Sequence, residues 1–181
     1  MRNVTSLKLF LFVGAALSLA AEAGAQAPVP PVSLAPVPPA LLNAKTVFIS
    51  NAGADSGLFP HPFSGDPDRA YNEFYAGVQS WGRYQLVRDP AEADLVFELR
   101  LIAPYGPASP NKQNGASDPL PMFRLVIFDR KTHYVLWALT ESITVAYLQK
   151  THDNNFDLAL TALALDLKRL ASAPPSAALN H

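Results

Sequence analysis

The distribution of proline limits where this chain can form helices and sheets. Seventeen prolines occur in 181 residues, and eleven of them fall in two blocks, residues 26–40 and 104–121. Proline fixes φ and has no N–H donor, so neither block suits a central strand or a helix interior. Residues 26–41 therefore predict a polyproline-II-like spacer, and residues 104–121 predict a long loop. Regular structure is expected within residues 42–172, followed by a tail without a periodic pattern at residues 173–181.

The first 25 residues have the pattern of a secretory signal peptide. Arg2 and Lys8 form a charged start, and the apolar run Leu9–Ala20 is shorter than the roughly 20 residues that a membrane-spanning helix needs. Small residues follow, and cleavage after Ala25 avoids a proline at the next position. The pattern predicts an exported protein, periplasmic or secreted, with an uncleaved anchor as the alternative.

The composition of the whole sequence limits the classes of partner that this protein can bind. Fourteen basic and fifteen acidic side chains give a net charge of −1, which supplies no positive field for nucleic acid or for an anionic membrane surface. The sequence has no cysteine, so we expect no disulfide, no lipidated cysteine and no stable membrane anchor after cleavage. Apolar residues make up 49% of the chain, which is enough for a packed core.

Hydrophobic periodicity predicts five strands and two long helices in the order β-α-β-β-β-β-α. The predicted strands are Lys45–Ser50, Tyr84–Val87, Leu95–Ile102, Met122–Phe128 and Tyr134–Tyr147. Asp66 is the predicted N-cap of the first helix, which stops at Gly82, and Asp153 is the predicted N-cap of the second. This order favours a single α/β (α+β) domain, in which a mixed five-stranded sheet packs against the helices.

The lengths of the connections constrain the strand pairing. A short polar turn, Asp129–Thr132, joins the last two strands and predicts a hairpin. The second and third strands are joined by about six residues, whereas a parallel return needs about a dozen. We therefore expect these two strands to be antiparallel or not to be direct neighbours.

Two apolar faces indicate the core, and one set of charges indicates a solvated face. The last strand is expected to bury Val135, Trp137, Leu139, Ile143, Val145 and Tyr147. The last helix carries a continuous stripe of Phe156, Leu160, Leu163, Leu167 and Leu170. Glu98, Arg100, Arg124 and Glu141 are expected to form a charged face across neighbouring strands.

Four stretches together resemble a known group of proteins. They are residues 44–50, the Trp-Gly-Arg-Tyr at 81–84, the Asp-Pro-Ala-Glu-Ala-Asp-Leu-Val at 89–96, and the segment 129–137 that ends in Val-Leu-Trp. Over residues 45–170 the pattern resembles small uncharacterised exported envelope proteins of bacteria. More distantly, it is similar to the domain shared by the curli-secretion lipoprotein, the amino-terminal domain of the Tol-system β-propeller protein and the lipoproteins that activate penicillin-binding proteins. The resemblance implies a binding and assembly module of the cell envelope rather than an enzyme, although the lipidated cysteine of the lipoprotein members is missing here.

The loop Asn51–Gly65 is the candidate binding site, because ligands of α/β sheets often lie between a strand and the helix that follows it. The candidate binding residues are Asn51, Asp55, Ser56, Phe59, His61 and Phe63. The two phenylalanine rings either fix the loop from below or present an apolar contact to a partner. A solvated loop without a ligand is the alternative. The second long loop, Pro104–Pro121, is expected to be dispensable for binding.

The sequence contains no motif for catalysis or for metal binding. Its histidines are His61, His133, His152 and His181, and none of them forms a metal-ligand pair with a neighbour in the sequence. A Gly-x-Ser-x-Gly nucleophile elbow is missing, and so is a cysteine nucleophile. We therefore expect no catalytic residues, no metal and no cofactor.

Three functions remain open at this point. The first is an exported, non-catalytic cell-envelope domain that binds a protein or a glycan. The second is an exported hydrolase that uses loop residues near His61, and the third is a structural scaffold without a specific ligand. A concave pocket in which His61 and carboxylates converge would favour the hydrolase, whereas its absence would favour binding or scaffolding.

The predicted cleavage site has a direct test. Protein from the native host should begin at Gln26, because Ala23-Gly24-Ala25 is followed by a residue other than proline. Intact-mass measurement gives the start of the mature chain to the residue. A chain that retains Met1 would contradict export with cleavage.

Overall fold

The computed structural model describes residues 35–107 and 118–173 of the chain. The predicted signal peptide, residues 26–34 of the spacer and residues 174–181 of the tail lie outside the described residues. In chain order the elements are α1 (Pro39–Asn43), β1 (Thr46–Ala54), α2 (Arg69–Trp81), β2 (Gln85–Leu86), β3 (Leu95–Ile102), β4 (Met122–Asp129), β5 (Val135–Ser142) and α3 (Gln149–Ala171), with a 3-10 turn at Pro90–Glu92. They form the predicted mixed α/β domain, with one five-stranded sheet and two long helices, and α1 is a short addition to it.

The strands lie in the order β2-β1-β3-β4-β5. β1 is parallel to both β2 and β3, whereas β4 is antiparallel to both β3 and β5. The predicted hairpin, β4–β5, is confirmed. β2 and β3 are not direct neighbours, because β1 lies between them, and this agrees with the short connection that joins them.

The folded domain begins earlier than the predicted spacer boundary at residue 41. α1 starts at Pro39, where a proline suits the first helical turn, and the side chain of Leu41 is completely buried. Arg83, just after α2, donates a hydrogen bond from Nη2 to the carbonyl oxygen of Leu42 (2.7 Å). The end of the proline-rich segment therefore packs as part of the domain, because an apolar side chain in it reaches the core.

Both long helices begin at residues other than those predicted. α2 begins at Arg69, and the Asp66 carboxylate accepts the N–H of Asp68 (2.8 Å) in the turn before it. α3 begins at Gln149, four residues before the predicted cap Asp153. Asp153 therefore lies inside the helix, where its carboxylate bonds to a neighbouring loop instead of to the helix end.

The core lies between the helices and one face of the sheet. α2 packs on β1, α3 packs on β4 and β5, and the two helices contact each other. The apolar stripe predicted for α3 is confirmed, since Phe156, Leu160, Leu163, Leu167 and Leu170 are all buried. The Phe156 ring meets the Phe123 ring of β4 edge-on, with centroids 4.9 Å apart. This contact fixes α3 on the sheet.

β5 is shorter than the strand predicted over residues 134–147, and less of it is buried. The strand ends at Ser142, and Ile143 just beyond it is buried. Trp137 is only half-buried, because β5 is the edge of the sheet and has a neighbouring strand on one side only. The members of the predicted apolar face that are exposed are Val135, Val145 and Tyr147.

Three of the four residues predicted to form a charged face do share one side of the sheet. Side chains alternate along a strand, so Glu98 and Arg100 of β3 lie on the face opposite to the buried Leu99 between them, and the register places Arg124 of β4 opposite Arg100. The fourth residue, Glu141, lies instead on the side of the helices, close to Asp166 of α3. The pKa of Glu141 is raised, mainly by burial and also by a hydrogen bond with Asp166.

The Asp-Pro-x-x-Ala-Asp segment before β3 stabilises the fold. The Asp89 carboxylate accepts the N–H of Ala91 (2.7 Å) and so begins the 3-10 turn. The Asp94 carboxylate accepts the N–H groups of Lys45 (2.9 Å) and Thr46 (3.1 Å) at the start of β1. These backbone hydrogen bonds hold the pKa of Asp94 below its usual range. The motif therefore joins the starts of β1 and β3.

Two leucines on α3 provide a matched test of the packing. Leu163→Ala should lower the free energy of unfolding by about 2–5 kcal/mol, because it deletes a completely buried side chain and leaves a cavity. Leu165→Ala should change it by about 0.5 kcal/mol or less, because Leu165 is 47% exposed. Equilibrium urea denaturation measures both variants, and equal losses would contradict the packing of α3.

Candidate functional site

The candidate residues after β1 lie in different environments, because β1 extends as far as Ala54. Asn51 is part of this strand. Its Nδ2 donates to Oδ1 of Asp68 (2.7 Å), and its Oδ1 accepts the N–H of Gly53 (2.9 Å). Asn51 therefore connects β1 to the turn before α2.

Asp55 and Ser56 lie where the chain leaves the sheet after β1. The Asp55 carboxylate accepts hydrogen bonds from Nη2 of Arg100 (3.0 Å) and from the N–H of Ala103 (2.9 Å). The N–H of Asp55 donates to the carbonyl oxygen of Leu101 (2.9 Å). These three bonds join the start of the loop to the end of β3. Ser56 is exposed, and within the described residues its hydroxyl group makes no hydrogen bond.

Phe59 and Phe63 point into the domain. Phe63 is completely buried, and its ring centroid lies 5.2 Å from that of Phe156 on α3. Phe59 is partly buried and lies edge-on to the same ring, at 6.3 Å. A completely buried ring offers no surface to a partner, so Phe63 is not a binding residue of the folded domain. These contacts hold the loop from below, and a role of Phe59 in binding stays a prediction.

His61 is exposed and lies apart from the other polar candidates. Its Nδ1 is 3.1 Å from Oε1 of Gln149 at the start of α3. Asp55 is bonded to Arg100 instead. Among the described residues, no hydrogen bond joins His61 to Asp55 or to Ser56.

Asp153 of α3 anchors the end of this loop. Its Oδ1 accepts the N–H of Ser64 (2.9 Å), and its Oδ2 accepts the Ser64 hydroxyl (2.8 Å). Arg69 donates to the same carboxylate from Nη1 (3.2 Å). Burial by itself raises the pKa of Asp153, but the hydrogen bonds from Ser64, Gln149 and Arg69 outweigh it and hold that pKa below its usual range.

Arg69 of α2 completes the anchor. Its guanidinium lies over the Phe156 ring, 4.4 Å from the centroid, and donates to the carbonyl oxygen of Ser64 (3.2 Å). Arg69 also forms ion pairs with Glu73 and with Asp157. The loop, α2 and α3 are therefore held together around one cation.

A cleft of about 660 Å³ opens at the carboxyl ends of β1 and β3. It is lined by Ala54, Asp55, Ser56, Gly57, Leu58, Pro62, Arg100, Ala103, Tyr105, Pro119, Pro121 and Val145. After β1 the chain turns towards α2, whereas after β3 it turns towards β4 on the other side. A crevice at such a topological switch point is the usual ligand site of a sheet with parallel strands. Asp55 and Ser56 of the predicted candidates line it, and His61 does not.

The cleft combines apolar walls with a few polar groups, as ligand pockets commonly do. The Tyr105 side chain at its rim is 80% exposed. The polar groups are the Asp55–Arg100 ion pair and the free hydroxyl group of Ser56. The amino-acid sequence does not mark Arg100 or Tyr105 as site residues. They lie at the carboxyl end of β3, and the sequence alone does not show that β3 runs parallel to β1.

The two arms of the loop between β3 and β4 form a wall of the cleft. The N–H of Gly106 donates to the carbonyl oxygen of Asp118 (2.9 Å), and that of Leu120 donates to the carbonyl oxygen of Pro104 (2.8 Å). The arms therefore run antiparallel beside each other. That the loop Pro104–Pro121 is dispensable for binding stays a prediction, and residues 108–117 of this loop lie outside the described residues.

The described residues contain no evident metal site. Within residues 35–107 and 118–173, no three histidine or carboxylate side chains are grouped so that they could hold a metal ion. His152 is buried in the first turn of α3, where its Nδ1 accepts the N–H of Ala146 (3.4 Å).

A helix that spans a membrane must be both long and apolar, and this requirement applies to the helices of the described residues. None of these helices combines the length and the apolar character needed to cross a bilayer.

Comparison with known proteins finds similarity at the level of structure. No protein-family model matches the chain, and no curated protein matches its sequence. A PelC variant dodecamer from Paraburkholderia phytofirmans has a TM-score of 0.44 at 13% identity, over 72% of this chain and 88% of that one. A Xanthomonas campestris protein of the DUF330 family has a TM-score of 0.41 at 12% identity, over 70% and 84%. A minor lipoprotein from Acinetobacter baumannii has a TM-score of 0.35 at 12% identity, over 71% and 93%. The resemblance to named envelope families drawn from the sequence stays a prediction.

The anchor formed by Asp153 has a pH-dependent test. Asp153→Asn should lower the free energy of unfolding by about 1–2 kcal/mol at neutral pH, because hydrogen bonds to a charged acceptor are stronger than those to an amide. The pKa of Asp153 is lower in the folded protein than its unfolded value of about 3.9. Its contribution is therefore present above about pH 4 and is lost as the pH falls through the folded-state pKa.

Urea denaturation of both proteins from neutral to acid pH measures this difference. The gap between wild type and Asp153→Asn should close at the acid end. Glu92→Gln, which changes an exposed carboxylate in the 3-10 turn, is the control and should show no such gap. A gap that stays constant with pH would contradict the role of the Asp153 carboxylate.

Proposed function

We propose that this protein is an exported, non-catalytic binding domain of the bacterial cell envelope and that the cleft at the ends of β1 and β3 holds its partner. The observation that carries the proposal is the convergence of Asp55, Ser56, Arg100 and Tyr105 in that cleft. The signal-peptide pattern predicted for the first 25 residues, followed by the predicted proline-rich spacer, supports export. The partner is a protein or a glycan that the protein meets after export.

The burial of the surrounding side chains supports binding at this cleft. Tyr105 is 80% exposed although it is a large aromatic residue, and Val145 beside it is 49% exposed. Tyrosine is favoured at interfaces because it offers a broad apolar surface with a polar tip. The Asp55–Arg100 pair holds two charged groups in fixed positions at the base of this surface.

The placement of the polar residues favours binding over hydrolysis. Ser56 lies in the cleft, whereas His61 bonds to Gln149 outside it. A nucleophilic serine needs a base within hydrogen-bonding distance. The Asp55 carboxylate is already occupied by Arg100 and by a backbone N–H group, so it does not serve as that base.

Two exposed tyrosines provide the test. Tyr105→Ala should weaken capture of envelope material by immobilised protein about tenfold, because it removes the ring at the rim of the cleft. Tyr134→Ala is the matched control, since Tyr134 is 74% exposed but lies before β5, at the opposite end of the β4–β5 hairpin. Both variants should unfold at the wild-type urea concentration, because neither ring is buried.

The captured material is separated into protein and polysaccharide fractions, and each is quantified for the three proteins. A loss of one fraction with Tyr105→Ala alone supports the cleft as the binding site. Equal capture by all three proteins would overturn the proposal and would favour a scaffold without a specific ligand.

A further inference from the structure

The face of the sheet beside the cleft carries two adjacent guanidinium groups. Arg100 of β3 and Arg124 of β4 are register partners in an antiparallel pair, which places their Cβ atoms about 4.5–5.5 Å apart. Like charges directly opposite each other destabilise a sheet. A local rule that is broken in this way commonly marks a functional position.

Most N–H donors of the two arginines have no partner among the described residues. Arg100 gives one hydrogen bond from Nη2 to Asp55, and its side chain remains 52% exposed. Arg124 is exposed and makes no hydrogen bond or ion pair with any residue of the described ranges. Glu98 lies diagonal to Arg124 on the same face, yet no ion pair joins them. Several N–H donors of the pair therefore point into solvent beside the cleft.

The walls of the cleft show which kind of molecule these donors suit. An extended peptide is recognised largely through its main chain, which needs free N–H and C=O groups on the protein. Pro62, Pro119 and Pro121 line the cleft and have no N–H, and the N–H of Ala103 is bound to Asp55. These four positions offer no N–H group to the main chain of a peptide, and the side chains of the cleft indicate the ligand class.

The side chains on offer are an exposed phenol ring, a hydroxyl group, a carboxylate and guanidinium groups. A ring with a polar tip packs against the apolar face of a sugar, while the Ser56 hydroxyl group matches the sugar hydroxyl groups. Guanidinium groups bind carboxylates through paired hydrogen bonds. On these grounds we infer that the cleft takes a uronate-containing oligosaccharide, with the sugar ring on Tyr105 and its carboxylate on Arg100 and Arg124.

This inference rests on the proposed function and gives it a ligand class. Arg124 is the residue to change, because it makes no hydrogen bond or ion pair with another described residue, whereas Arg100 is bonded to Asp55. Arg88 is the matched control, because it is an exposed arginine next to β2 and also makes no hydrogen bond or ion pair within the described residues. Both Arg→Gln changes remove one positive charge.

The experiment is isothermal titration calorimetry, in which hexagalacturonate is added to the purified mature protein. Wild-type protein and Arg88→Gln should bind with the same affinity, and Arg124→Gln should bind about tenfold more weakly. Binding should weaken as the salt concentration is raised, because salt screens the attraction between the ligand carboxylate and the exposed arginines. Neutral maltohexaose and acidic hexaglutamate, used as the two comparison probes, should each bind at least about tenfold more weakly than hexagalacturonate.

Each other result overturns the inference in a distinct way. Equal binding of maltohexaose, or an unchanged affinity of Arg124→Gln for hexagalacturonate, would show that the protein does not bind the carboxylate of the sugar. Equal binding of hexaglutamate would make the ligand an acidic peptide. If hexagalacturonate does not bind but Tyr105→Ala still weakens the capture of envelope material, the ligand class is wrong and the proposed function stands. If Tyr105→Ala leaves all binding intact, the proposed function fails as well.

Discussion

The packing of Phe156 determines where the other parts of this domain lie. Its ring on α3 meets Phe123 of β4 on one side and Phe63 of the β1–α2 loop on another, with the Arg69 guanidinium above it. One buried side chain thus connects the sheet, both long helices and the loop. Aromatic contacts of this kind add stability beyond the area they bury.

The cleft depends on this packing, although none of its lining side chains is Phe156. Phe63 is buried in the core, so the far end of the loop after β1 is held against α3. Its near end is fixed by Asp55, which bonds to Arg100 and to the N–H of Ala103 beyond β3. The open crevice therefore results from two fixed loop ends at a switch in strand order.

The charged residues divide between the two faces of the sheet according to strand alternation. Glu141 lies beside Asp166 under α3, where burial raises its pKa, and it plays no part at the cleft. Arg100 and Arg124 lie on the other face of the sheet, and both side chains are exposed. A repulsive pair is tolerated there because solvent screens it, and it stays available to an anionic ligand.

Periodicity and turn residues along the chain predict the class of fold, the five strands, the β4–β5 hairpin and the buried stripe of α3. The short connection between β2 and β3 also predicts that these strands are not direct parallel neighbours, because it excludes a crossover. Three features follow only from the folded structure: Phe63 is core, Asp153 binds a loop rather than capping a helix, and Arg100 and Tyr105 lie at the cleft. These roles depend on which distant segments meet, and on strand direction, and such contacts between residues far apart in the chain leave no local pattern in the amino-acid sequence.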